Sequence, residues 1–184
     1  MNRTAEVDAL LRHVADAFRA TLHATLDGDR DGAREVADGT GGRRGLADAA
    51  HAMLTARRWV PAPQLERERA FVDGVDRIGE LVEDLAAAVA DGALHALTPT
   101  AQLELTVLLD VGDRRLRQLI DGAVTPEAHA TYRGCAAALI DIAGHSAGDP
   151  TGDPALRTAS ASVTARCSLL AAALLVAGRQ AAAA

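Results

Sequence analysis

The chain has 184 residues, of which 49% are hydrophobic and 24% are charged, and its formal net charge is −6. The apolar fraction is large enough to build a core, which excludes a disordered chain, and the negative charge argues against nucleic-acid binding, which requires a basic surface. Aromatic residues make up only 2% of the chain. The core must therefore consist of Leu, Val, Ile and Ala, which favours closely packed helices.

Proline and glycine residues mark the starts and ends of the predicted helices along the chain. Pro99, Pro126 and Pro154 each follow a Thr or Asp that can cap a helix whose first residue is the proline. No stretch alternates polar and apolar residues with the side-chain types of a strand. The six predicted helices span residues 4–26, 29–57, 63–91, 99–121, 126–146 and 154–179.

The second predicted helix is interrupted by glycines at positions 39, 41, 42 and 45. Each glycine costs a helix up to about 1 kcal/mol relative to Ala. We therefore expect a kink, or a loop between two shorter helices, in this segment. The segment is not interpreted as a nucleotide site, because it lacks the Gly-Lys-Ser/Thr end and the preceding strand of a phosphate-binding P-loop.

The third predicted helix has the clearest apolar stripe. Its apolar residues recur at spacings of three and four and fall on one face, which predicts a helix with that face in a core. They are Phe71, Val75, Ile78, Val82, Leu85 and Val89. Three amphipathic helices in each half of the chain can bury one another's stripes. We therefore predict an all-α fold of two tandem three-helix bundles, residues 1–92 and 93–184.

The segment Asp76–Glu80, with the sequence DRIGE, resembles the acidic-Arg-Ile-Gly-acidic signature of the PhoU family. The resemblance implies two three-helix repeats, with the signature on the third helix of a repeat. It also implies a non-catalytic regulator of phosphate transport and phosphate-responsive signalling. Glu80 stands in place of the more usual Asp, and Ala165 and Leu169 stand where carboxylates of the second repeat would be, so the second repeat is degenerate.

Four acidic residues of the same helix, Asp73, Asp76, Glu80 and Asp84, are spaced to share one face, opposite the apolar stripe. The resemblance implies a metal ion or metal cluster on Asp76 and Glu80, with Asp84 where a further polar ligand often follows. Oxygen ligands suit Mg²⁺, Ca²⁺ or Mn²⁺, and carboxylates also hold iron. A neighbouring helix or subunit would have to complete such a site. The alternative is a solvated face, its repulsion offset by nearby arginines.

The other chemically active residue types form no recognisable catalytic pattern. None of the six histidines has a second His or Cys at zinc-site spacing, and no serine occupies a nucleophile elbow. The Glu-x-x-His pairs of di-iron bundles are absent, which disfavours a carboxylate-metal enzyme. Cys135 and Cys167 lie in apolar helical context and are interpreted as buried small hydrophobic residues. The sequence thus predicts a protein that is not an enzyme.

Location and partners follow from the same features. No signal peptide opens the chain, and its longest apolar stretch, Leu169–Ala177, is far below the roughly 20 residues of a membrane span. We expect a cytoplasmic protein, and the PhoU resemblance implies that it docks on a phosphate transporter component or a sensor kinase. A partner with a basic surface would fit the net charge. Membrane association would then occur only through that partner, and a homodimer is compatible with the apolar last helix. The alternative is a metal-free helical-bundle interaction module that serves another transporter or assembly.

Overall fold

The described part of the chain is helical. The computed structural model describes residues 4–97, 99–121, 161–163, 165–167, 169–170, 172–174 and 176. Its elements are α1 (Ala5–Asp27), α2 (Arg30–Ala37), α3 (Thr40–Ala56), α4 (Ala62–Ala90), a 3₁₀ helix (Ala93–Ala96) and α5 (Pro99–Ile120). The described residues between 161 and 176 are also helical, and the ranges above contain no strand. None of the described helices combines the length and apolar character needed to cross a bilayer.

The all-α prediction is confirmed, whereas the arrangement of six helices in two bundles stays a prediction. The predicted helix 126–146 lies outside the described residues, and the predicted helix 154–179 is described only in part. The predicted boundary between residues 92 and 93 falls just before the 3₁₀ helix. The described residues do not decide whether the two halves are separate units.

The predicted helix 29–57 is in fact two helices, α2 and α3, and the break falls at Asp38 and Gly39. Asp29 caps α2, because its side chain accepts hydrogen bonds from the N–H groups of Asp31 and Gly32 at 3.2 and 3.0 Å. Gly28 precedes this cap with φ of 67°, a left-handed conformation that suits glycine. Gly41, Gly42 and Gly45 lie within α3.

α3 and α4 are antiparallel. Arg43 of α3 contacts Asp76 of α4, and Arg57 at the end of α3 contacts Glu68 near the start of α4. α1 is the central helix, since it packs against α2, α3, α4 and α5, and α4 packs against α1, α2 and α3. α5 returns along α1, with which it makes its main contacts.

One continuous apolar cluster joins α1, α3, α4 and α5 with described residues of the helical segment 161–176. All six residues of the predicted α4 stripe belong to the buried core, with at most 3% exposure. Close approach of α5 to α1 depends on Gly112, because a Cβ at that position would overlap the ring of Phe18. The core therefore reaches from α4 through α1 to α5.

Candidate functional site

Arg43 of α3 is a charged side chain in the interior of the bundle, only 2% exposed. Its Nε donates to Oε1 of Glu83 at 2.8 Å. Its NH1 group donates to a carboxylate oxygen of Asp76 and, at 3.3 Å, to the main-chain carbonyl of Asp76. A buried charge is costly unless it is paired and hydrogen-bonded. The two carboxylates of α4 therefore offset the cost of burying the Arg43 guanidinium.

Thr40, the first residue of α3, completes this group, which we call the Arg43 cluster (Thr40, Arg43, Asp76 and Glu83). The Thr40 hydroxyl donates to Oε2 of Glu83 at 2.9 Å, so both oxygens of that buried carboxylate have a partner. Burial by itself lowers the pKa of Arg43. The hydrogen bond that Arg43 donates to Glu83 and the charges of Asp76 and Glu83 more than compensate, so that the pKa lies above its ordinary value. The cluster is therefore a fixed cation held by two carboxylates.

Gly79 gives the Arg43 side chain its path across α4. A Cβ on Gly79 would overlap Cδ of Arg43 and would stand 3.0 Å from Cγ2 of Val14. Asp76, Gly79 and Glu83 are spaced by three and four residues, so they lie on one face of α4, the face towards α3. Within the segment that resembles the PhoU signature, Asp76 and Gly79 thus serve the packing of α3 on α4.

The structure gives the three predicted metal ligands different surroundings. The Asp76 carboxylate, 35% exposed, is bound by Arg43, and the half-exposed Glu80 pairs with Arg77 three residues earlier. Asp84 is exposed. Within the described ranges, no group of three or more His, Cys, Asp or Glu side chains is arranged to hold a metal ion. The metal site on Asp76, Glu80 and Asp84 stays a prediction.

Asp73, the fourth member of the predicted acidic stripe, contacts a different partner. Its Oδ1 lies 2.9 Å from Nε2 of His51 on α3. Both side chains are at least one-third exposed, so this pair contributes little to stability. The stripe is therefore divided: Asp76 lies at the edge of the interface with α3, while Asp73 and Asp84 face solvent.

A groove of about 460 Å³ lies between α1 and α2, next to the Arg43 cluster. This α1–α2 groove has an apolar floor of Ala17, Ala20, Ala24 and Val36, and His13 and His23 lie along it. Among the described residues that line it, all the Asp, Glu, Lys and Arg side chains are acidic: Asp16, Asp27, Asp29, Glu35 and Glu83. Its volume falls in the range of about 300–1,000 Å³ that is usual for binding pockets. The groove is suited to a positively charged group with an apolar body.

A second charged contact holds α5 against α1. Arg117 donates from Nε to Oδ2 of Asp113 at 3.0 Å and lies 3.7 Å from Asp16 of α1. Arg19 of α1 lies 3.8 Å from the same Asp113 carboxylate. The hydrogen bond to Asp113 is the main reason why the pKa of Arg117 is raised. These contacts link the two helices at the level of the groove.

The sequence analysis missed Arg43, Glu83 and the α1–α2 groove. A signal for Glu83 was present, because it lies in the stretch 81–90, which is otherwise apolar apart from Asp84. A carboxylate there indicates a buried partner of opposite charge. Arg43 gave no such signal, since it stands among glycines that suggested a loop. Cys167 agrees with its interpretation as a small hydrophobic residue: it is a buried free thiol whose pKa burial raises to about 12.

Comparison with protein-family models, with curated proteins and with solved structures gave no match for this chain. The PhoU resemblance therefore rests on the segment Asp76–Glu80 and on the helical layout.

Proposed function

We propose that this protein is a non-catalytic regulator that binds a basic segment of a partner protein in the α1–α2 groove. The observation that carries the proposal is the lining of the groove, which joins an apolar floor to acidic side chains and includes no Lys or Arg among its described residues. An amphipathic helix or an extended segment commonly binds in such a groove through an apolar face. Charge complementarity at the rim then selects basic partners and speeds their encounter.

The identity of the partner is inferred from the resemblance to the PhoU family. It implies a phosphate transporter component or a sensor kinase, so that the bundle would regulate phosphate transport and phosphate-responsive signalling. A net charge of −6 is compatible with a basic docking surface on either partner. In this proposal the protein carries out no chemical step, and its effect on the partner comes from binding alone.

One observation favours a second candidate, a metal-free helical-bundle interaction module that serves another transporter or assembly. Asp76 and Glu83 are both bound by Arg43, and Glu80 is bound by Arg77. A cation is therefore not required to relieve the repulsion between carboxylates on α4. If this candidate is correct, the groove still binds a basic segment, but the partner lies outside phosphate regulation.

The groove is tested by reversing one charge in it. Glu35→Arg should weaken binding to the cytoplasmic part of the sensor kinase, or to the transporter's ATP-hydrolysing subunit, by about tenfold or more in titration calorimetry. Asp48→Arg changes the charge equally on an exposed position of α3 outside the groove and should bind like the unaltered protein. An equal loss of affinity in both variants would contradict binding in the groove. Failure of the unaltered protein to bind either partner would favour the second candidate.

Metal content separates the two candidates further. Protein purified without chelators should be compared with Glu80→Ala/Asp84→Ala, a pair that leaves the Arg43 cluster intact. Stoichiometric metal that is lost in the variant would support the PhoU-like form, with Asp76 as the third predicted ligand. Metal below stoichiometric amounts in both proteins would support the metal-free module.

A further inference from the structure

The turn between α3 and α4 projects the chain's only tryptophan into solvent. Trp59 is 98% exposed, although large aromatic side chains usually bury most of their surface. Val60 and the exposed residues Pro61–Pro63 follow it in the chain and add small apolar side chains. We call residues 57–69 the Trp59 tip. Exposed aromatic and apolar side chains grouped in this way are typical of a binding surface.

The base of the Trp59 tip is fixed by a buried carboxylate. Glu68, 4% exposed, accepts from NH1 of Arg57 and, at 3.0 Å, from Nε2 of Gln64. Pro61, at the start of α4, restricts the backbone of the turn. Trp59 is therefore presented by an ordered turn, and little conformational freedom would be lost when it binds.

The Trp59 tip is positively charged within an acidic protein. Its four arginines and two glutamates give it a net charge of +2, whereas the whole chain carries −6. Glu83 in the α1–α2 groove lies 21 residues beyond the first residue of α4, which is about 30 Å along a helix. The Debye length at physiological salt is only about 8 Å. The acidic groove therefore does not cancel the attraction of the tip for negative charge.

Three of the four arginines of the Trp59 tip already donate hydrogen bonds within the protein, so the tip offers a partner mainly its positive charge. Arg67 donates from Nε to the carbonyl of Pro63 and Arg69 donates to the hydroxyl of Thr55, both at 3.3 Å. Arg57 is held by Glu68. A convex apolar tip with diffuse positive charge matches a surface that has negative charge but no fixed shape.

We propose that the Trp59 tip docks this protein directly on an anionic lipid bilayer, with the indole of Trp59 in the interfacial region. Tryptophan is enriched at that depth because its ring is apolar and its N–H is polar. Each arginine near an anionic leaflet strengthens binding by about fivefold. The association is weak and reversible, since stable anchoring requires more than one such element. This proposal is independent of the proposed partner and adds lipid contact to the partner-mediated association expected from the sequence.

The test uses Trp59 as its own probe, because no other tryptophan contributes to the fluorescence. The full chain is titrated with vesicles of phosphatidylcholine alone and of phosphatidylcholine mixed with phosphatidylglycerol. The emission should shift to the blue only with the anionic vesicles, and added salt should reverse the shift. In co-sedimentation, Arg58→Glu/Arg67→Glu should lower the bound fraction by more than tenfold, and Trp59→Ala should lower it as well.

The control Arg34→Glu/Arg114→Glu makes the same charge change at exposed positions of α2 and α5 and should retain most of the binding. Circular dichroism should show that all variants keep their helical content. An unchanged emission spectrum with anionic vesicles would overturn the proposal. So would a blue shift that grows with protein concentration without vesicles, because the tip would then bind a second copy of the chain. Equal loss in the control variant would also overturn it.

Discussion

Arg43 is a residue whose surroundings could not be derived from its neighbours in the sequence. Glycines precede and follow it in the chain, yet its guanidinium lies in the bundle interior between Asp76 and Glu83. Those two partners are 33 and 40 residues away. A local pattern predicts which face of a helix is apolar, but it does not predict which distant charge will meet that face.

The Arg43 cluster makes a prediction about stability. Arg43→Met should lower the free energy of unfolding by about 3–5 kcal/mol, because it leaves the carboxylates of Glu83 and Asp76 near the interior without their cation. Arg43→Met/Glu83→Leu removes the more deeply buried of the two charges as well and should recover part of that loss. Urea unfolding followed by circular dichroism measures both values. A double variant no more stable than Arg43→Met alone would contradict this account.

The outward orientation expected for Asp76 shows how far the sequence could go. At about 100° per residue, Asp76 and Glu83 lie about 120–140° from the centre of the α4 stripe on the side towards α3. Asp73 and Glu80 lie about 160–180° from it, and Asp84 lies about 140° from it on the opposite side. The sequence therefore located the exposed side of α4 correctly for Asp73 and Asp84. It misplaced Asp76, because α3 covers the edge of the stripe and a single helix gives no information on how wide its buried face is.

At the level of elements, two glycines that both lie within helices have different effects on packing. Gly45 of α3 has no atom within 4 Å of the place where a Cβ would stand, whereas a Cβ on Gly79 of α4 would overlap Arg43. From the sequence, Gly45 was interpreted only by its helix propensity, and Gly79 only by its place in the segment that resembles the PhoU signature. Propensity treats the two positions alike, and only the packing of α3 on α4 distinguishes them.

Because of this difference, replacing each glycine by alanine should change the free energy of unfolding in opposite directions. Gly45→Ala should raise the free energy of unfolding by about 0.5–1 kcal/mol, since alanine favours the helix and meets no neighbour there. Gly79→Ala gains the same propensity but forces Arg43 or α3 to move, and overpacking of this kind costs about 1–3 kcal/mol. A net loss is therefore expected at Gly79. Urea denaturation of the two variants measures both free energies of unfolding. If both substitutions stabilised the protein, α3 would have to accommodate the added Cβ at position 79 without a loss of free energy.

At the scale of the whole molecule, the sequence predicted the helical class and the stripe of α4 because both depend on periodic local patterns. The division into residues 1–92 and 93–184 depends instead on which helix faces meet, and it stays a prediction. The described contacts place α5 against α1, with the ring of Phe18 over Gly112 and Arg117 close to Asp16. α1 is thus buried by α3 and α4 on one side and by α5 on the other.

A fragment of residues 1–97 tests how independent the first half is. It would expose the side of α1 that α5 covers, including Phe18, which is fully buried in the whole chain. Exposing each large apolar side chain costs about 1.5–3 kcal/mol, a large share of the 5–15 kcal/mol by which domains are usually stable. We expect the fragment to melt at a lower temperature than the whole chain, and less cooperatively, when followed by circular dichroism. Cooperative melting of the fragment at the same temperature as the whole chain would instead establish residues 1–92 as a self-sufficient bundle, because α5 would then contribute nothing to the stability of α1.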